Sequence, residues 1–145
     1  MAWTLRPFRT EDQAPVIGLW EACGLLRPWN DPRLDVALKL GQGPELFLVA
    51  EQGEELVGTV MAGWDGHRGH VNYLAVRTDL RRQGLGRALM GAAEERLATL
   101  GCPKINLEVR QENRDVVAFY ARLGYTDNAC LSLGKRLGQG ASNEH

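Results

Sequence analysis

The chain is short of the features that would fix its class at once, and each shortage excludes something. Cysteine occurs three times, at Cys23, Cys102 and Cys130, an odd number without a Cys-x-x-Cys pair. That excludes a disulfide framework and fits the reduced thiols of a cytoplasmic protein. No stretch approaches the ~20 apolar residues of a membrane span, and no apolar run follows a basic start. Neither sign of charge dominates, with 17 basic residues against 18 acidic ones. Bulk electrostatics therefore give no reason for a nucleic-acid or membrane-surface partner. Internal repeats are missing as well. What remains is 145 residues, enough to bury a core unaided. One domain is expected over residues 1–137, with a small, polar, flexible tail over 138–145.

The best-ordered stretch runs from Val71 to Leu100. Val71-Asn72-Tyr73-Leu74-Ala75-Val76 alternates and is rich in β-branched and aromatic residues, which predicts a strand. After a charged turn comes Arg81-Arg82-Gln83-Gly84-Leu85-Gly86-Arg87. Apolar residues then fall at Leu85, Ala88, Leu89, Ala92, Ala93, Leu97 and Leu100, the spacing of one helix face. Gly101 and Pro103 stop that helix. A strand, a glycine loop and a helix N-terminus make a device for holding phosphate: unpaired N–H groups and the helix dipole face the anion. Glycines let the backbone approach it. The loop lacks the Gly-Lys-Ser/Thr ending of a nucleoside-triphosphatase and an acidic residue placed for Mg²⁺. It also lacks the three-glycine dinucleotide pattern. Arg77, Arg81, Arg82 and Arg87 gather around it, which suits a small phosphorylated ligand.

Along the rest of the chain, Trp3–Phe8 reads as an edge strand. A helix follows, started by Thr10-Glu11-Asp12, with Val16, Ile17, Trp20 and Ala22 at helical intervals. Asp31-Pro32 predicts the cap and first position of a second helix. Leu46–Ala50 and Leu56–Trp64 read as a hairpin around Glu51–Glu55. Lys104–Val109 alternates as a strand, Asp115–Leu123 reads as a short helix stopped by Gly124, and Ala129–Arg136 as a last strand.

Arg81-x-x-Gly84-x-Gly86 matches the Arg/Gln-x-x-Gly-x-Gly/Ala signature of the GNAT superfamily of N-acetyltransferases, whose loop holds the pyrophosphate of acetyl-CoA. The later run Glu108-Val109-Arg110-x-x-Asn113, followed by Phe119-Tyr120-x-x-Leu123-Gly124-Tyr125, resembles that superfamily's second signature, in the expected order and separation. This run looks like that of the ribosomal-protein-alanine N-acetyltransferases. Leu26–Pro32, Asp65–Gly69, Gly101–Lys104 and Leu131–Arg136 resemble pieces of the small bacterial YpeA-type acetyltransferases. The resemblance implies an α/β (α+β) fold: a central mixed, mostly antiparallel sheet of six to seven strands, splayed at the middle and flanked by about four helices.

It also implies an acetyl-CoA-dependent transfer of an acetyl group to a primary amine, by direct attack in a ternary complex. Backbone N–H groups of Arg82, Gln83, Gly84, Leu85, Gly86 and Arg87 would hold the pyrophosphate. Main-chain groups of Leu74, Ala75 and Val76 would pair with the pantetheine arm like an added strand. A bulge there would splay the strand from its neighbour and open the slot, and the Val76 amide could polarise the thioester carbonyl. Asn113 matches a cofactor-contacting position, or serves as a cap for its helix. Tyr120 is the candidate general acid, its alternative being a core aromatic. Glu108 is the candidate base if its face borders the slot, and a surface carboxylate otherwise, with water taking the proton. Trp29, Asn30 and Asp31 lie where relatives line the acceptor pocket, and an aromatic beside a carboxylate suits a cationic amine. Asp31 can equally be the helix cap and Trp29 plain packing.

No metal is expected, because His67-x-x-His70 has no third ligand spaced to help it. The expected acceptors are a small amine or a peptide N-terminus, and paired chains are common among relatives. The competing reading is a non-catalytic acyl-CoA-binding module on the same fold.

Overall fold

Phe47-Leu48-Val49-Ala50 is apolar without a break because both of its faces are covered. In the computed structural model, which describes residues 2–138, this run sits in β2 (Phe47–Gln52). It lies inside a sheet that also holds β1 (Thr4–Pro7), β3 (Glu55–Trp64), β4 (Gly69–Val76) and β5 (Ile105–Asn106), in the spatial order β1-β2-β3-β4-β5. The first three pairings are antiparallel and β4–β5 is parallel, so the sheet is mixed and mostly antiparallel. The strand period of two sends Phe47 and Val49 to one face. There they join Val16, Leu19 and Trp20 of α1 (Gln13–Ala22) and Val36 of α2 (Pro32–Leu40) in one buried cluster. Phe8 stacks on Phe47 with ring centroids 4.5 Å apart. The other face carries α3 (Leu85–Thr99), which buries Leu85, Leu89, Met90, Ala93 and Leu97.

Gly58 is what lets α3 come so close. A Cβ at this position would lie 2.9 Å from Leu89 Cδ1, 3.2 Å from Leu85 Cδ2 and 3.1 Å from the Ala75 carbonyl oxygen. The sequence pattern marks Gly58 only as a strand residue; its contact with the helix appears in three dimensions.

α2 begins as its sequence predicts: Asp31 accepts the Arg33 N–H at 2.9 Å, and Pro32 occupies the first helical position. α1 begins differently. Thr10–Asp12 form a 3-10 turn, and the Asp12 side chain caps that turn and not α1 itself. Its carboxylate accepts the Arg9 N–H at 2.8 Å and both terminal nitrogens of Arg6 at 2.8 and 2.9 Å. Arg6 Nε reaches Glu51 at 3.0 Å, so one guanidinium ties β1, the helix entry and β2 together. The Arg6 hydrogen bonds hold the Asp12 carboxyl below the usual carboxylate range.

The described residues fall into two compact units, divided between Leu107 and Glu108. The second holds α4 (Arg114–Arg122), closed by Gly124 in the left-handed conformation at φ 96°. Residues 125–137 form no regular element.

Three expectations need correcting. The described residues form five strands, not six to seven. Lys104–Val109 supplies only Ile105 and Asn106 to the sheet, pairing with Gly69 and His70. Alternation reports which face is apolar and not how far a partner follows it. Ala129–Arg136 is no strand: Ala129 adopts φ 57°, its N–H turned onto Asp127 Oδ1 at 2.7 Å, which breaks the extended path at its start. Leu131 and Leu133, the alternating apolar pair, are each 88% exposed. Apart from Gly138, the expected tail lies outside the described residues. Among the described residues no helix is long and apolar enough to cross a membrane.

Candidate functional site

The site in the first unit is built from backbone. β3 and β4 pair as Gly58↔Val76 and Thr59↔Ala75, then as Met61↔Asn72. Tyr73 and Leu74 thus stand opposite the single residue Val60, a bulge of one extra residue on β4. The Arg77 N–H donates to the Val57 carbonyl at 2.8 Å. Antiparallel pairs alternate, so both main-chain groups of Val76 point away from β3. On that side β5 accompanies β4 only at Gly69 and His70, and the described residues leave Val71–Val76 without a ladder partner there. The Cys23 thiol at the end of α1 donates to the Val76 carbonyl at 3.4 Å.

The strand runs through Arg77 and the 3-10 turn Thr78–Leu80 into the glycine loop. Arg82 and Gly84 are left-handed at φ 66° and φ 87°. Gly84 is the N-cap of α3 and, having no side chain, caps nothing. The first helical bond runs from the Ala88 N–H to the Gly84 carbonyl at 3.0 Å. The N–H groups of Leu85, Gly86 and Arg87 therefore precede the helical ladder and stay available to an anion. Leu85 is buried and pins the turn to the sheet, while Arg81, Arg82, Gln83, Gly84 and Arg87 are exposed and Gly86 is half-buried. Arg77 is not one of the loop's available cations. Its guanidinium is committed to Asp79 at 2.7 Å and Glu55 at 2.5 Å.

Tyr73, which sequence reading treats only as a strand residue, holds the bulge in an unusual backbone conformation at φ 52°. Its ring stacks on Trp20 with centroids 3.7 Å apart. Its hydroxyl donates to Asp35 Oδ2 on α2 at 2.5 Å, and its carbonyl accepts the Thr59 hydroxyl at 2.8 Å. Thr59 accepts the Trp20 Nε1–H at 2.9 Å, so the fully buried hydroxyl is satisfied on both sides. Burial, then the Asp35 carboxylate, push the Tyr73 phenol well above its ordinary value. No sequence signal marks this group, because a left-handed tyrosine has no one-dimensional signature.

The α1–α2 loop leaves Trp29 half-buried and Asn30 and Asp31 exposed, with one Asp31 oxygen spent on the helix cap.

In the second unit Tyr120 is buried. It packs edge-on against Phe119 and Tyr125, with centroids 5.1 and 5.6 Å away. Its carbonyl accepts the N–H groups of Leu123 and Tyr125, each at 3.0 Å, which closes the Leu123-Gly124-Tyr125 turn. Burial pushes its phenol up to about 12. Asn113 is exposed at the N-cap of α4 without a side-chain cap bond. Glu108 is exposed and outside any strand. Among the described residues no three histidine, cysteine or acidic side chains cluster as a metal site.

Residues 9–125 match the acetyltransferase (GNAT) family. The chain belongs to the GNAT acetyltransferase family. This GNAT chain is 51% identical over 133 residues to the curated acetyltransferase ECA0875 of Pectobacterium atrosepticum, a match covering 92% of this chain and 94% of that one. The crystal structure of the ribosomal-protein-S18-alanine N-acetyltransferase from Escherichia coli superposes with a TM-score of 0.71 at 23% identity, covering 85% of this chain and 77% of that one. AAC(6')-Iy in complex with the bisubstrate analog CoA-S-monomethyl-acetylneamine superposes with a TM-score of 0.78 at 13% identity, covering 95% of this chain and all of that one. At these identities both structures speak for the fold of the GNAT chain alone.

Proposed function

We propose that this chain is an acetyl-CoA-dependent N-acetyltransferase that acts on a primary amine by direct attack in a ternary complex. The observation that carries the reading is that one connected segment ends in two sets of main-chain groups without ladder partners among the described residues. They are the open β4 edge at Leu74–Val76 and the uncapped start of α3 at Gly84, joined by the 3-10 turn Thr78–Leu80. The two together suit a long ligand with an amide-bearing arm and a diphosphate, and AAC(6')-Iy was solved with a CoA-linked analog on this fold.

Acetyl-CoA, when bound, supplies an activated acyl group on a thiol leaving group. The chain's own residues do the rest. The N–H groups of Arg82–Arg87 and the helix dipole hold the diphosphate. Leu74, Ala75 and Val76 take the pantetheine arm as an added strand. The Val76 N–H, turned away from β3, steadies charge on the thioester oxygen, an effect worth ~3 kcal/mol per donor. Asn113 adds a contact to the coenzyme.

Tyr120 keeps its proton at neutral pH, since burial sets it near 12. Full transfer to a free thiolate of pKa ~8.5 would run uphill by roughly 3–4 units. Its service is therefore an O–H donated to the departing sulfur, a bond that strengthens as charge grows there. The exposure of Glu108 supports a base that works through water, with Glu108 at most its outlet. Trp29, Asn30 and Asp31 receive the amine, either a small molecule or a peptide N-terminus. The protein works in the cytoplasm, as a single chain or a homodimer, without metal and without nucleic acid.

The test is acetyl-CoA consumption over a panel of small amines and N-terminal peptides, with binding followed by calorimetry. Turnover on any primary amine supports the reading. Binding without turnover across the panel would make the chain an acyl-CoA-binding module instead.

A further inference from the structure

We propose that Asp35, acting through the Tyr73 hydroxyl, is a positioning residue that sets the β4 bulge and so aims the Leu74–Val76 main chain at the acyl donor. The inference rests on the acetyl-CoA reading of that edge and adds to it the part of the fold that fixes its direction.

An aromatic side chain has no intrinsic reason to sit at φ 52°, where its Cβ crowds the following carbonyl. Such a conformation persists only where the surroundings over-determine it. Tyr73 has three such restraints, on three different elements. Its ring is stacked on Trp20 of α1, its carbonyl takes the Thr59 hydroxyl of β3, and its phenol reaches Asp35 in the first turn of α2. The first two form a closed circuit, because Trp20 Nε1 donates to Thr59, and they fix the ring plane. The third fixes the rotation left over, at the only end of the side chain not already held. Asp35 is itself set by the helix start, its N–H bonded to the Asp31 carbonyl at 3.0 Å.

The bulge consists of Tyr73 and Leu74, and its extra residue determines which main-chain groups of Leu74, Ala75 and Val76 turn away from β3. A relaxed Tyr73 would let that residue regain an extended conformation, and the following amides would rotate with it. The phosphate loop, held independently by buried Leu85, would be left as it is. Asp35 thereby also links the segment after Trp29-Asn30-Asp31 to the strand edge: a shift of the α2 start is felt at the thioester position through one hydrogen bond.

The experiment uses the full chain and two probes, acetyl-CoA and its nucleotide half, 3′-phospho-ADP, with affinities by calorimetry. Amide hydrogen exchange at Leu74–Val76 is the second readout. Tyr73→Phe keeps the ring stack and removes the hydroxyl; Asp35→Ala removes the acceptor; Asp35→Asn keeps an acceptor oxygen. Tyr73→Phe and Asp35→Ala should each weaken acetyl-CoA about five- to tenfold, leave 3′-phospho-ADP within twofold, and speed exchange at Leu74–Val76. Asp35→Asn should restore most of the affinity. Unchanged acetyl-CoA affinity in both Tyr73→Phe and Asp35→Ala overturns the proposal. So does an equal loss for both probes, which would mean general loosening of the fold. Failure of the unaltered protein to bind acetyl-CoA would instead overturn the reading of the edge itself.

Discussion

The Cys23 thiol lies 3.4 Å from the carbonyl oxygen of Val76 and donates its hydrogen to it. The thiol therefore sits against the main chain proposed to carry the pantetheine arm, on the side that β3 does not use. An acceptor with two lone pairs can keep this weak bond and take a second donor. The contact makes Cys23 a chemical reporter for that edge.

Saturating acetyl-CoA should slow alkylation of Cys23 by N-ethylmaleimide about tenfold or more, while exposed Cys130 reacts at an unchanged rate. Peptide mass spectrometry after timed quenching reads both. Equal Cys23 rates with and without ligand would remove β4 from the binding surface.

Gly58→Ala should destabilise the chain by about 1–3 kcal/mol, since the new methyl meets Leu89, Leu85 and the Ala75 backbone carbonyl at once. The midpoint of urea unfolding should fall while its slope holds. An unchanged midpoint would show that α3 has slack against the sheet.

Tyr120→Phe should lower turnover by about 10²-fold and leave acetyl-CoA affinity within twofold, because it removes only the O–H proposed to be donated to the leaving sulfur. A pH signature accompanies it. The folded chain holds the Tyr120 proton more tightly than the unfolded chain does, with a folded value of about 12 against an ordinary 10.0. Its contribution to stability is complete below about pH 10 and is lost as the pH climbs through about 12. Denaturant melts at pH 9 and pH 11 should show a smaller alkaline loss for Tyr120→Phe than for the unaltered protein. Identical losses would mean the phenol is not shielded from water.

Asp12→Asn should cost about 2–4 kcal/mol at neutral pH, because it leaves the Arg6 guanidinium facing a neutral amide. Asp12 has a lowered carboxyl, so its contribution is present above the ordinary carboxylate range and disappears as pH falls through the lowered value. The stability gap between Asp12→Asn and the unaltered chain should therefore narrow from pH 7 towards pH 2. A constant gap would assign the cost to packing and not to charge.

The parts of this chain that sequence makes legible are those dictated by local chemistry. Gly84 can be read from its neighbours as a loop glycine opening a helix, although its left-handed φ of 87° appears only in the structure. Asp31-Pro32 likewise announces its helix. The arrangement of partners is less visible. Nothing in the alternation of Lys104–Val109 tells that only Ile105 and Asn106 find a neighbour, or that Glu108 falls beyond the strand. Arg77 reads as part of the cationic loop until Glu55, distant in sequence, is seen to hold it. Tyr73 is the furthest from view, since its conformation is imposed by Trp20, Thr59 and Asp35 from three separate elements. Family likeness anticipates a bulge in this strand without saying which side chains secure it.

The unpaired flank of Val71–Val76 has a cost when no ligand is bound. A row of strand groups without a ladder partner is a template for any stray extended peptide, including one from another copy of the chain. A coenzyme bound there as proposed would deny that template to intruders and so double as a safeguard against clumping.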